Sequence, residues 1–267
     1  MEAEKPGKYY WKDLWLYREL FYFLAWRDVL VRYKQTVLGI MWSVLRPFLA
    51  MVIFTVIFGK LAKLPSDGVP YPILVYCAML PWQFFSTSFS DCSTSLVRNK
   101  NLISKIYFPR IVIPTSTVIV SIIDFLISIV IFAGIMIWYR YVPSWQIVFI
   151  PILMLTALLT SMGLGLWLSA VNVKYRDIRY ITPFIVRFGI YISPVGFSST
   201  IIPEKWRLLY SLNPMVGVID GFRWAVLGGS HNVNWLGFVC STVVTIVLFL
   251  LGVWFFRRSE RTFADVI

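Results

Sequence analysis

Few residues in this sequence can do chemistry, and their surroundings narrow what that chemistry is. Asp124 sits in the apolar run VSIIDFLIS. A carboxylate costs a few kcal/mol at the centre of a bilayer, so Asp124 is expected to be neutral or hydrogen-bonded, in a structural or a transport role. Asp91 lies among Ser88, Ser90 and Ser93, a setting suited to a helix-packing network. Arg32, Lys34 and Arg46 flank or enter the first long apolar run. Cations so placed can donate charge-assisted hydrogen bonds to an anionic group at an entrance, or snorkel to ordinary lipid phosphate. Trp82, Phe84, Phe85 and Phe89 form one aromatic stripe, and Phe188, Tyr191 and Phe197 another. Either can present ring faces to a path or pack in a core. Tyr175, Arg176 and Asp177 close an apolar run with an ion pair that bridges loops or subunits, or stays solvated and contributes under about 1 kcal/mol. Asp220 and Arg223 have the three-residue spacing of a neutralising helical pair.

Other chemistries lack their residues. No G-x-x-x-x-G-K-[ST] is present, so the chain has no backbone cradle for ATP phosphates. Gly163-Leu-Gly165 lies inside an apolar run and reads as a helix-packing notch rather than a dinucleotide loop. A gradient-driven carrier keeps paired ionisable groups in mid-membrane, and only Asp124 is central, so a partner is expected to supply energy. No D-x-D occurs, and Asp67, Glu204 and Asp220 make no catalytic cluster, which argues against a membrane glycosyltransferase. One His and no C-x-x-C exclude a zinc module. Cys77, Cys92 and Cys240 are expected to be buried free thiols. No cofactor is expected in the chain itself.

The elements that carry these residues follow from composition. Hydrophobic residues make up 58% of the 267 positions and charged residues 14%, and mean hydropathy is +0.73. A soluble domain carries roughly 25% charged residues, so lipid is the solvent. A crossing needs about 20 apolar residues. Six runs qualify, at 37–60, 71–96, 111–139, 145–172, 181–200 and 235–256. They are continuous rather than alternating, which favours helices over a barrel. The net charge of +12 invites a nucleic-acid reading, but the basic residues cluster between spans. Of the 25 Lys and Arg, 19 fall on the side that holds both ends of the chain, which places both termini in the cytoplasm. The first apolar run follows a charged, aromatic stretch, a layout that predicts no cleavable signal peptide.

Three segments do not fit a simple crossing. Residues 14–36 mix Trp15, Tyr17, Phe21, Tyr22, Phe23, Trp26 and Tyr33 with charges, and read as a helix lying in the cytoplasmic interface or docking a partner. Residues 97–110, VRNKNLISKIYFPR, are basic yet apolar at Leu102, Ile103, Ile106 and Phe108. That predicts an amphipathic helix, capped by Asn99 and ended by Pro109, that points at a partner groove. Residues 201–230 are too broken to span and too apolar for a free loop. Short helices that dip into the outer face and return would fit, lining a path. The fold class is therefore all-α integral membrane: six transmembrane helices, an N-terminal amphipathic interface helix, a cytoplasmic coupling helix and a reentrant outer segment between spans five and six. The parts are a cytoplasmic or interfacial segment at 1–36, a transmembrane domain at 37–256 and a cytoplasmic tail at 257–267.

The motifs RYKQTVLGIMWSVLRP (32–47), LPWQFF (80–85), NLISKIYFPR (101–110), NVKYRDIRYITP (172–183), ISPVGF (192–197) and LNPMVGVIDGFRWAVLG (212–228) occur in that order. Across essentially the whole chain the sequence resembles the membrane subunit, or permease, of type-2 ABC exporters, in the polysaccharide and O-antigen export branch. The resemblance implies a homodimer in the bacterial cytoplasmic membrane with a path between two six-span copies. It implies a separate cytoplasmic ABC ATPase dimer, which carries the ATP and Mg. That partner is expected to dock at Leu102, Ile103, Lys105, Ile106 and Tyr107 and at the N-terminal helix. The implied cargo is a glycan on a polyprenyl diphosphate. A type-2 exporter of another lipid, teichoic acid, capsule or drug is the alternative, and no nucleic acid is expected.

Overall fold

Lipid offers the backbone no hydrogen-bond partners, and the chain answers with helices. Among the described residues there is no strand. The computed structural model describes residues 14–34, 39–66, 68–228, 234–260 and 263. In chain order the elements are α1 (Arg18–Tyr33), α2 (Gly39–Phe54) with a π-helical continuation at Thr55–Leu61, α3 (Tyr71–Arg98), the single turn α4 (Lys100–Ile103) and α5 (Val112–Trp138). A 3-10 stretch at Trp145–Phe149 then leads into α6 (Ile150–Lys174), followed by α7 (Ile181–Ile192), α8 (Glu204–Tyr210), α9 (Pro214–Leu227) and α10 (Trp235–Ser259).

Among the described residues, three helical stretches are long and apolar enough to cross a membrane: Val112–Trp138, Trp145–Lys174 and Trp235–Ser259. The other expected crossings also hold helices, with differences. The run at 37–60 is helical from Gly39 in two consecutive pieces. α3 has 28 residues, but its second half carries Gln83, Ser86, Ser88, Ser90 and Asp91, which lower its hydropathy. α7 has only 12 residues, about 18 Å at 1.5 Å per residue, so it does not fill the run expected at 181–200. Pro194 explains the stop. The residue before a proline is pushed out of helical backbone, and Ser193 is extended, with ψ 152°.

α3 is the hub. It is buried on every face from Ile73 to Trp82, as a helix apolar all round must be. It packs chiefly along α6 and α5, and also against α9, α2 and α7. α6 packs in turn along α10, and its two glycines make the room. A Cβ on Gly163 would stand 2.8 Å from the Leu248 backbone carbonyl, and one on Gly165 would stand 2.7 Å from Cys92 Sγ. The notch reading of these glycines therefore holds. Hydroxyl pairs join the helices at Ser88–Ser161 (3.0 Å), Thr160–Thr245 (3.0 Å) and Thr182–Ser93 (3.1 Å). All three cysteines are free; Cys77 and Cys92 are buried and Cys240 is half-buried.

A second apolar core closes the end of the bundle where the 98–110 connection lies. It gathers Leu24, Leu96, Ile103, Phe108, Ile111, Phe256 and Phe263. Glu260, just past α10, ties this end together. Its carboxylate accepts from the Arg110 backbone N–H at 2.6 Å, and its carbonyl accepts from the Arg110 guanidinium. The same guanidinium lies 5.9 Å from the centroid of the Phe263 ring.

Candidate functional site

α1 positions the site. Its charges fall on more than one face, so the sequence does not orient it, and lying flat in the interface was the natural expectation. It packs alongside α5. At its start Tyr17 donates to the Tyr107 carbonyl at 3.3 Å. At its end the Tyr33 hydroxyl donates to the Asp124 carboxylate, near the midpoint of α5. Leu24 and Ala25 face inward. Arg27 and Arg32 turn into the bundle, while Trp15, Tyr22, Phe23 and Trp26 stay exposed.

This places a cavity of about 640 Å³ between α1, α2, α3 and α5. Four arginines line it, namely Arg27, Arg32, Arg46 and Arg98, with Asp28, Asp91 and Asp124. Arg32 spans two carboxylates, Asp124 at 2.7 Å and Asp91 at 3.2 Å. Arg98 reaches Asp91 at 3.4 Å and Thr94 at 3.2 Å. Arg27 holds Asp28 and the Asn99 side-chain oxygen, each at 2.8 Å. Charge removed from water is tolerated when it is paired and hydrogen-bonded, and this explains how Asp124, only 8% exposed, sits midway along an apolar helix. A planar guanidinium also matches phosphate geometry through two parallel donors. The cavity is thus chemically suited to a phosphate-bearing anion.

A second polar centre lies towards the other end. Ser193, Val195 and Ser198 are buried although their backbone is not helical. Such backbone must be bonded by protein. Arg223 of α9, fully buried, donates to the carbonyls of Phe197 at 2.9 Å and Val195 at 3.2 Å. Tyr71 donates to the Gly196 carbonyl at 2.6 Å, and Asn213 to Ser193 Oγ at 3.0 Å.

The match to known proteins agrees with this architecture. The model of the ABC-2 type transporter family fits residues 19–227. The chain belongs to that family. Relatives align over nearly its full length. The O-antigen export system permease protein RfbA of Myxococcus xanthus is 28% identical over 259 residues, covering 96% of this chain and 98% of the relative. A protein of the same name from Klebsiella pneumoniae is 28% identical over 242 residues, covering 90% and 92%. The polysialic acid transport protein KpsM of Escherichia coli is 22% identical over 244 residues, covering 88% and 91%. This ABC-2 chain is accordingly a multi-pass membrane transport subunit that works with an ATPase partner, not an enzyme.

Several sequence expectations are corrected in the ABC-2 subunit. Asp124 is not a lone carboxylate, because Arg32 and Tyr33 hold it. Asp91 belongs to the arginine cluster, and the serines near it bond backbone and other helices without it. Arg32 and Arg46 share the cavity as grouped, whereas Lys34 is exposed at the end of α1 and does not line it. Sequence reasoning missed Arg27 and Arg98, whose membership depends on the angle of α1. Arg223 donates to carbonyls 26 and 28 residues away, partners that its three-residue spacing from Asp220 does not announce.

The remaining candidates divide by exposure. Trp82, Phe84, Phe85 and Phe89 are all buried within this chain, packed among its own helices. Phe188 and Tyr191 are exposed, and Phe197 is half-buried. The 97–110 segment holds one helical turn, not a helix reaching Pro109. Asn99 sits at its start but its side chain donates backwards to the Ser95 carbonyl at 2.9 Å. Ile103 is buried and Leu102 is packed against the same core, so their apolar faces are covered by this chain; Lys105, Ile106 and Tyr107 are exposed. Tyr175 and Asp177 are exposed at the end of α6; the Arg176 side chain lies outside the described residues. Asn213 caps α9, accepting from the Met215 N–H at 3.1 Å.

Proposed function

We propose that this chain is the membrane subunit of an ATP-driven exporter that carries an O-antigen-type polysaccharide, linked to a polyprenyl diphosphate, across the bacterial cytoplasmic membrane. The observation that carries the reading is the end-to-end similarity to two O-antigen export permeases. The arginine-lined cavity supports it with a setting suited to an anionic head group. The subunit acts as a homodimer of six-span copies with both termini in the cytoplasm. The less apolar α3 and the shorter α2 and α7 join the three long apolar stretches as crossings, and α8 and α9 form a reentrant outer segment.

In this reading Phe188 and Tyr191 of α7, exposed on the protomer, face a path shared with the second copy. Lys105, Ile106 and Tyr107 dock the ATPase, with Leu102 and Ile103 bracing the loop from inside, and the Tyr175–Asp177 turn lies on the same side. Arg32 and Arg46 receive the diphosphate. The similarity to a polysialic acid transport protein makes capsule the second reading. Deleting the gene and examining the surface polymer tests both. Loss of O-antigen-type polymer from the surface, with polymer accumulating inside, is the expected result. A deletion strain that displays all its surface polymers normally overturns the export reading, and loss of capsule alone selects the second.

A further inference from the structure

The carboxylates of the arginine cavity raise a question of competition. Arg32 could have been held by one partner, yet it is stretched between Asp91 and Asp124 at 3.2 and 2.7 Å. We infer that Asp91 and Asp124 are exchangeable counter-ions of a diphosphate site: they compete with a phosphate-bearing head group for Arg32, and binding of the head group transfers Arg32 from carboxylate to phosphate. The identity of the ligand as a lipid-linked diphosphate rests on the export reading above; the exchange rests on geometry.

Three observations carry the exchange. The first is space: a lock made only to hold helices together needs no cavity, whereas this cluster borders one of about 640 Å³, within the ordinary range of about 300–1,000 Å³ for ligand sites. The second is the excess of cations. Arg27, Arg32, Arg46 and Arg98 come from three different helices to one cavity and face three carboxylates. The third is the looseness of the pairing. The Arg98–Asp91 contact is 3.4 Å, and the Arg98 and Arg32 side chains are 57% and 36% exposed. These guanidiniums can turn to a new anion without unpacking a core.

Exchange has a signature with a sign. A carboxylate beside the arginines repels an incoming diphosphate and occupies its donor. Changing it to the isosteric amide removes the charge and keeps the shape. Asp124→Asn and Asp91→Asn should therefore tighten binding, whereas Arg32→Gln should weaken it. A cluster that is only structural predicts weaker or unchanged binding for every variant.

The test uses the complex of this subunit with its ATPase, in lipid nanodiscs, titrated separately with undecaprenyl diphosphate and with inorganic pyrophosphate. The expected result is a Kd for the lipid roughly threefold to tenfold lower in Asp124→Asn and in Asp91→Asn, and about tenfold higher in Arg32→Gln, the scale of one charge-assisted contact. Arg32→Lys should fall between Arg32→Gln and the natural protein. Asparagine variants that fold, by thermal melting, and bind no more tightly overturn the exchange. Pyrophosphate that ranks the variants in the same order but binds more weakly than the lipid assigns the site to a lipid head group; equal affinity assigns it to a free diphosphate. The pyrophosphate ranking does not depend on export, so exchange can stand if the deletion strain disproves polysaccharide export, and can fail while export stands.

Discussion

The guanidinium of Arg32 lies 2.7 Å from the carboxylate of Asp124, joining the end of α1 to the middle of α5. Arg32 also holds Asp91 of α3, so one side chain ties three helices. The pair should show in a double-mutant cycle on the purified complex. Arg32→Gln and Asp124→Asn should each lower the melting temperature, and the double variant should lose less than the two together. The expected coupling is about 1–2 kcal/mol, within the range for contacting residues and reduced because Arg32 is 36% exposed. Additive effects would show that the contact contributes no stability.

Arg223 also bonds to backbone. Its removal orphans the buried carbonyl of Val195 and the half-buried one of Phe197, and each unsatisfied group costs up to about 1–3 kcal/mol. Arg223→Ala should lower stability by roughly 2–6 kcal/mol on that basis, and limited proteolysis should first cut near residues 193–200. Arg223→Lys, with a single ammonium, should recover only part of the loss. A melting temperature unchanged in Arg223→Ala would refute the bracing role.

Exposure splits the 102–107 segment into residues that brace and residues that meet a partner. Ile103 is 4% exposed and Tyr107 is 90% exposed. Ile103→Asp should destabilise the subunit itself by about 2–5 kcal/mol, as a charge placed in a core does. Tyr107→Ala should leave its melting temperature nearly unchanged and reduce copurification of the ATPase. Normal yield and melting temperature in Ile103→Asp would show that the burial is not structural, and undiminished copurification in Tyr107→Ala would place the docking surface elsewhere.

These contrasts show what the sequence discloses and what it does not. Hydropathy locates α5, α6 and α10, because a helix in lipid must be apolar for its whole length, and Gly163 announces a close helix contact because a side chain there would collide. The amphipathic pattern around Leu102 and Ile103 correctly signals a buried face, but a pattern cannot say whether this chain or another covers it. The path of α1 was illegible for a related reason. Its inward charges find their partners in helices far along the chain, so Asp124 reads as isolated until Arg32 is folded against it. Two of the partners of Arg223 are carbonyl groups, which every residue possesses and which leave no mark in composition. The aromatic stripe of α3 left two readings open for lack of context: Trp82 and Phe89 look the same in a row of letters whether they face sugar or neighbouring helices.

The grip of Glu260 on Arg110 has a mechanical meaning. Arg110 lies only three residues beyond exposed Tyr107, and both its backbone N–H and its guanidinium are held by the residue that follows α10. Phe263 is wedged into the same core as Ile103. A displacement applied at residues 105–107 therefore loads the last helix directly, without first passing along the chain through the five α-helices between. The tail acts as a tie-rod, and a force that pushes the loop is felt at once at the far end of the sequence.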